Sequence, residues 1–154
     1  MLLYLARHGQ AANPAPEQPS QLTNLGISQT RLTAQALANR SAKIDQIWHS
    51  PKRRTIETAL IYQAILGISK ENYIEKETLS IDGNVDDLYS DILQNQNRNL
   101  LLVSHQPTLE ELSSLLVTGS DHFPHIAFPT SGIVVFEYDN QWKFLYSLNP
   151  SQLK

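Results

Sequence analysis

The 154-residue sequence predicts an α/β fold. The architecture expected is a single-domain three-layer αβα sandwich over residues 1–154 with a mostly parallel sheet. Three observations predict it. Short apolar runs alternate with segments of helical spacing along the chain. The first run, Met1-Leu2-Leu3-Tyr4-Leu5-Ala6, is apolar without alternation, as a strand covered on both faces must be. Polar residues then follow strands at recurring places, and the C-terminal edge of a parallel sheet is where ligands bind.

The elements follow in order. Strand one opens the chain, and a loop over 10–22 holds Pro14, Pro16 and Pro19. Thr23 offers a capping oxygen for a helix over 25–38, whose apolar stripe is imperfect. Residues 45–49, Asp45-Gln46-Ile47-Trp48-His49, read as strand two. Ser50 and Pro51 suit the N-cap and first position of a helix that ends near Gly67. A short third strand covers 72–75. Val85, Leu88, Ile92 and Leu93 have helical spacing. Residues 99–103 form a strongly apolar fourth strand. Thr108-Leu109-Glu110-Glu111 fits a capping box, with Leu109, Leu112 and Leu116 as the buried face of the next helix. Residues 132–138 and 142–148 form a final hairpin around Asp139-Asn140. There are no repeats, low-complexity tracts or linkers.

Composition narrows the function. A chain that is 41% apolar and 18% charged is an ordinary globular one. A net charge of −3 argues against nucleic acid or an anionic membrane as partner. The chain has no cysteine, which removes disulfides, thiolate metal sites and cysteine nucleophiles. Met1 leads straight into strand one without a basic leader, so no signal peptide is expected. No apolar run is long enough for a bilayer. A cytoplasmic monomer is the expectation.

The polar clusters carry the chemistry. Arg7-His8-Gly9 follows strand one, residues 50–54 follow strand two, and Ser104-His105 follows strand four. If the strands are parallel, the three clusters converge on one edge. Alone, the triplet reads equally well as a surface loop. Together, Arg7 and Arg54 supply forked donors for phosphate oxygens. Two helices start beside them and add backbone N–H groups and favourable dipoles. Two histidines complete the set, and no acidic cluster suited to Mg²⁺ or Ca²⁺ accompanies them. The implied chemistry is phosphoryl transfer to a histidine nucleophile, with neither metal nor cofactor.

These motifs carry a family resemblance. Leu5-Ala6-Arg7-His8-Gly9, Ser50-Pro51-Lys52-Arg53-Arg54-Thr55-Ile56-Glu57-Thr58-Ala59 and Val103-Ser104-His105-Gln106-Pro107 occur in one order along the chain. The chain resembles the histidine phosphatase (phosphoglycerate mutase-like) superfamily. Within it, the chain is most similar to the short SixA-type phosphohistidine phosphatases. Leu22-Thr23-Asn24-Leu25-Gly26, Asp82-Gly83-Asn84-Val85, Phe128-Pro129-Thr130-Ser131 and Asn149-Pro150-Ser151-Gln152-Leu153-Lys154 support that subgroup. The resemblance implies that His8 is phosphorylated, that Arg7 and Arg54 bind phosphate oxygens, and that His105 donates to the phosphoryl group. It prefers Arg54 to Arg53, which with Lys52 reads as a solvated helix face. Ser104 and the backbone N–H of Gln106 are expected to line the pocket. The implied partner is a protein bearing phosphohistidine, such as a histidine phosphotransfer domain.

One departure from the wider superfamily has a chemical consequence. Larger members carry a carboxylic acid that protonates an oxygen leaving group. Here Leu79-Ser80-Ile81-Asp82-Gly83-Asn84 occupies the matching region, without a glutamate. Imidazole has a pKa of about 6.5 and leaves without strong acid help, whereas an alkoxide needs a proton donor. Phosphohistidine, or another activated phosphoryl group, is therefore favoured over an ordinary sugar phosphate. Glu17, in the proline-containing loop, and Asp82 are the candidates if an acid is used, although Glu17 reads more simply as an exposed loop carboxylate. His49 reads as a structural strand-end residue. His122 and His125, near Asp121, give a weak metal signal and read as surface or entrance residues. Trp48 and Trp142 read as core and hairpin packing. The rival functions are a small-molecule phosphomonoesterase or mutase, and a phosphate-binding regulatory module without catalysis.

Overall fold

In the computed structural model, which describes residues 1–121 and 126–153, β1 (Leu2–Arg7) lies inside a six-stranded sheet. The other strands are β4 (Gln46–His49), β5 (Tyr73–Glu75), β6 (Leu100–Ser104), β7 (Ile133–Tyr138) and β8 (Trp142–Leu148). Their order is β5-β4-β6-β1-β7-β8. β1 pairs in parallel with β6, and β4 in parallel with both β6 and β5. β7 alone runs against the rest: it is antiparallel to β1 and to β8. The mostly parallel sheet and the closing hairpin are as the sequence predicts, and Asn140 at the turn has a φ of 63°.

Alternation along the strands divides the core into two layers. Leu3 and Leu5 of β1, with Leu100 and Leu102 of β6, face α3 (Val85–Leu93) and α4 (Thr108–Thr118). Val85, Leu88 and Ile92 come from the first helix, and Leu109, Leu112 and Leu116 from the second. Tyr4, Ala6, Leu101 and Val103 point the other way. They meet Ala34 and Leu37 of α1 (Asn24–Asn39) and Ala59 and Tyr62 of α2 (Arg53–Leu66). A strand buried on both faces must be apolar at every position, which is the pattern of residues 1–6.

The helix ends show where local rules hold and where the site overrides them. Thr23 caps α1, its Oγ1 accepting the Gly26 N–H at 3.1 Å. Gly67 ends α2 at a φ of 68°, a conformation that costs a residue with a Cβ about 1–2 kcal/mol. Two expected caps are corrected. Ser50 is not the N-cap of α2, because that helix begins only at Arg53, and the Ser50 hydroxyl is engaged elsewhere. Thr108 is not a cap either, because its hydroxyl donates to the Ser80 carbonyl. Pro107 holds the cap position, and Gln106 just before it supplies the side chain: its Oε1 accepts the Glu110 N–H at 3.2 Å, and its Nε2 donates to the Glu110 carboxylate at 3.1 Å. The loop over 10–22 also contains a pair the sequence did not reveal, β2 (Ala11–Ala12) against β3 (Gln21–Leu22).

Candidate active site

Parallel pairing sets the three polar clusters side by side. Arg7 lies opposite Ser104 in the β1–β6 register, and His49 opposite Val103 in the β4–β6 register. His8, Ser50 and His105 are the next residues along, so they emerge together at the C-terminal edge. The His8 N–H donates to the Ser104 carbonyl at 3.1 Å, and the Ser50 N–H to the Val103 carbonyl at 3.2 Å. The His8 carbonyl accepts from the N–H of Ser131, which is buried at a φ of 61°. The rings of His8 and His105 lie 5.3 Å apart.

His8 is oriented by its neighbour. Its Nδ1 lies 2.7 Å from the Gly9 carbonyl. A carbonyl only accepts, so Nδ1 carries the proton and Nε2 keeps its lone pair. Burial, with Arg54 and Arg7 adding to it, lowers the His8 pKa to about 4 against the pull of the Gly9 bond. The ring is therefore neutral near pH 7. Gly9 itself is wedged in place, its N–H donating to Thr58 Oγ1 at 3.0 Å. A Cβ there would approach Thr30 Oγ1 to 2.8 Å and the Gly26 carbonyl to 3.0 Å.

His105 is only 1% exposed. Its Nε2 lies 2.6 Å from Ser50 Oγ, and its Nδ1 is buried without a partner. Burial first, then Arg54, His8, Lys52 and Arg7, lowers its pKa to about 3. Arg7 is anchored by Nη1, which donates to the Phe128 carbonyl at 2.8 Å, while its buried Nε has no partner. Arg54 is half-buried, and desolvation lowers its pKa. Arg53 points away, pairing with Glu57 at 3.5 Å at the surface. Two arginines and two neutral histidines thus lie close together at one edge of the sheet, a set of donors that suits a tetrahedral oxyanion.

The other expected residues divide. Ser104 is fully buried, and its hydroxyl donates to the Leu79 carbonyl at 2.6 Å, which ties the end of β6 to the 79–84 segment. The Gln106 side chain caps α4, which leaves its backbone N–H as the group it offers. Glu17 is exposed in the 13–20 loop. Asp82 is exposed on a groove of about 550 Å³ that begins at Pro51 and Lys52. Among the described residues, the charged groups acting on the two rings are cations, and neither Glu17 nor Asp82 is among them. His49 is buried at the strand end, with Nδ1 2.8 Å from the Ser50 carbonyl and its ring against Tyr73. Trp48 is a core residue, and Trp142 packs on Tyr138 in the hairpin. His122 and His125 lie outside the described residues. Among the described residues, no three His, Asp or Glu side chains are gathered to hold a metal. No described helix is long and apolar enough to cross a membrane.

Several supporting residues were missed from sequence. Thr58 holds the Gly9 N–H, Thr30 bonds Ser131 at 2.9 Å, and Ser50 and Thr55 sit beneath His105. Thr58 had a usable signal, since it lies one helical turn beyond Arg54.

The model of the histidine phosphatase superfamily (branch 1) matches residues 3–80, which include His8 and Arg54. The chain belongs to the histidine phosphatase superfamily. Among solved structures, it is similar to the protein histidine phosphatase SixA complexed with tungstate, at 26% identity and a TM-score of 0.86, over 98% of each chain. A candidate SixA phosphohistidine phosphatase from Agrobacterium tumefaciens is similar at 23% identity and a TM-score of 0.79, over 97% of this chain and 98% of that one. A candidate α-ribazole-5′-phosphate phosphatase from Escherichia coli is similar at 17% identity and a TM-score of 0.76, over 94% of each chain. No curated protein matches the chain by sequence. The superfamily has the αβα architecture found here, and its chemistry is that of a phosphatase.

Proposed function

We propose that this chain is a metal-independent phosphohistidine phosphatase, acting in the cytoplasm on a phosphorylated histidine of another protein, such as a histidine phosphotransfer domain. One observation carries the reading. His8 presents a lone pair on Nε2 among cations, and among the described residues no carboxylate acts on its ring. Nε2 attacks phosphorus, the phosphorus–nitrogen bond of the substrate breaks, and the departing imidazole takes a proton from solvent water. Arg7, Arg54 and His105 balance the charge on the equatorial oxygens. Water then attacks the phosphoryl group on His8 and releases inorganic phosphate. Imidazole as leaving group makes a buried carboxylic acid unnecessary, whereas an alkoxide would require one. The tungstate complex of the SixA relative, a tetrahedral oxyanion on a protein of this fold, agrees with an anion pocket here.

A small-molecule phosphomonoesterase is the second reading. Its support is the fold shared with α-ribazole-5′-phosphate phosphatase, and Asp82 or Glu17 would then have to supply the proton. The test is phosphate release from a phosphohistidine protein and from a sugar phosphate at matched concentrations. Wild type is expected to act on the first only, and His8→Ala on neither. Arg54→Ala should lose at least about tenfold in kcat/KM, the effect of one charge-assisted hydrogen bond. Release mainly from the sugar phosphate, lowered by Asp82→Asn or Glu17→Gln, would establish the second reading. Tight oxyanion binding with no release from either would indicate a binding module.

A further inference from the structure

Two hydroxyls lie beneath His105, and their protons can be placed. Thr55 Oγ1 is 2.7 Å from the Lys52 carbonyl and 2.9 Å from the Ser50 carbonyl. Both carbonyls only accept, so the single proton of Thr55 goes to them. Ser50 Oγ lies 2.7 Å from Thr55 Oγ1, and that contact then requires the proton of Ser50. What Ser50 turns to His105 Nε2, at 2.6 Å, is a lone pair. The Lys52 N–H, 3.4 Å from the same oxygen, is a second donor toward it. The neutral His105 ring therefore carries its proton on Nε2. Ser50, Thr55 and His105 are all at least 99% buried, so water does not compete for these bonds.

We propose that Ser50 is a positioning residue for the reaction: it accepts from Nε2 of His105, fixes the tautomer, and leaves Nδ1 as the nitrogen that meets the phosphoryl group. This rests on the proposed function in one respect, that the phosphoryl group lies between His8 and His105. Nδ1 is buried without a partner, a state that a polar atom in a site rarely keeps without a function. A phosphoryl group arriving as its monoanion brings one P–O–H. That proton passes to Nδ1, leaving a phosphoryl dianion beside an imidazolium. The charged groups facing the ring are Arg54, Lys52 and Arg7, with His8 the titratable neighbour. All oppose the imidazolium until the phosphoryl charge arrives. Ser50 favours it throughout, because a hydrogen bond to the charged form raises its pKa.

The test begins with the wild-type protein labelled with ¹⁵N at histidine. Two-bond correlation spectra at pH 7 are expected to show His105 protonated at Nε2 and bare at Nδ1, with assignment by His105→Gln. A proton on Nδ1 of the free protein overturns the proposal. Thr55→Val keeps the shape but removes the acceptor for the Ser50 proton, so the ring should shift toward the Nδ1–H form, while Thr55→Ser restores the wild-type spectrum. In turnover, Ser50→Ala should lower kcat about tenfold with little change in KM, as expected for one hydrogen bond to a charged group. The alkaline limb of its kcat profile should move to lower pH, since the imidazolium has lost support. An unmoved limb with wild-type kcat would refute the role. Should wild type fail to act on phosphohistidine, the proposed function falls. The spectra, with and without tungstate, still decide the role of Ser50.

Discussion

A histidine buried beside two arginines is a nucleophile only while it stays neutral, and this has a measurable cost in acid. His8 titrates at about 4 and His105 at about 3 in the folded protein. In the unfolded chain, both return to about 6.5. Between those limits the unfolded state binds more protons, so stability rises with pH and is lost as pH falls below about 6.5. Urea denaturation at pH 7.5 and pH 5 should show that fall, and His8→Gln with His105→Gln should flatten it. Equal slopes for wild type and the double variant would mean that the rings titrate alike in the folded and unfolded chain. Ser50 shows how far one side chain can depart from its local rule. A serine before a proline reads as a helix cap, but its hydroxyl bonds His105 instead. The sequence separation of 55 residues puts that partner beyond any local reading.

Helices and strands explain which parts of the chain were legible. β1, β6 and the hairpin of β7 and β8 were read correctly because burial on a sheet demands apolar residues at fixed periods. α1 looked weak because its buried stripe is Gly26, Thr30, Thr33, Ala34 and Leu37. That stripe has helical spacing but little hydrophobicity. Small residues permit close approach, and a Cβ on Gly26 would run into the backbone of Gln10. The hydroxyls are satisfied internally, Thr30 by the Gly26 carbonyl and Thr33 by Tyr62. The pair of β2 and β3 was illegible because two residues per strand carry no period. Thr23, by contrast, is a cap that local chemistry fully specifies. Thr23→Ala should destabilise the protein by about 1 kcal/mol in urea titrations. Activity should follow only weakly, because Thr23 touches neither histidine.

At the scale of the whole molecule, the proposed function makes one anion the link between three strand ends. Arg7 and His8 leave β1, Ser50 to Arg54 leave β4, and His105 leaves β6. Burial lowers the pKa of both rings, and the nearby cations Arg7, Arg54 and Lys52 add to it, so the free protein disfavours a further positive charge there. An oxyanion in the pocket reverses the sign of the local field, so it should bind the folded state and not the unfolded chain. The net charge of −3 makes the site a local exception on an acidic protein, so added salt should weaken the attraction. Tungstate at about 100 times its Kd should stabilise the fold by about 2.7 kcal/mol. For a chain of this size, that corresponds to a Tm higher by roughly 5–10 °C. Thermal melts with and without tungstate measure it directly. Arg54→Ala should lose most of the rise, and Glu17→Gln, exposed in its loop, should keep it. A rise that Arg54→Ala retains would place the anion elsewhere on the surface. Because binding is read here without turnover, the melt tests the convergence of the three strand ends independently of any choice of substrate.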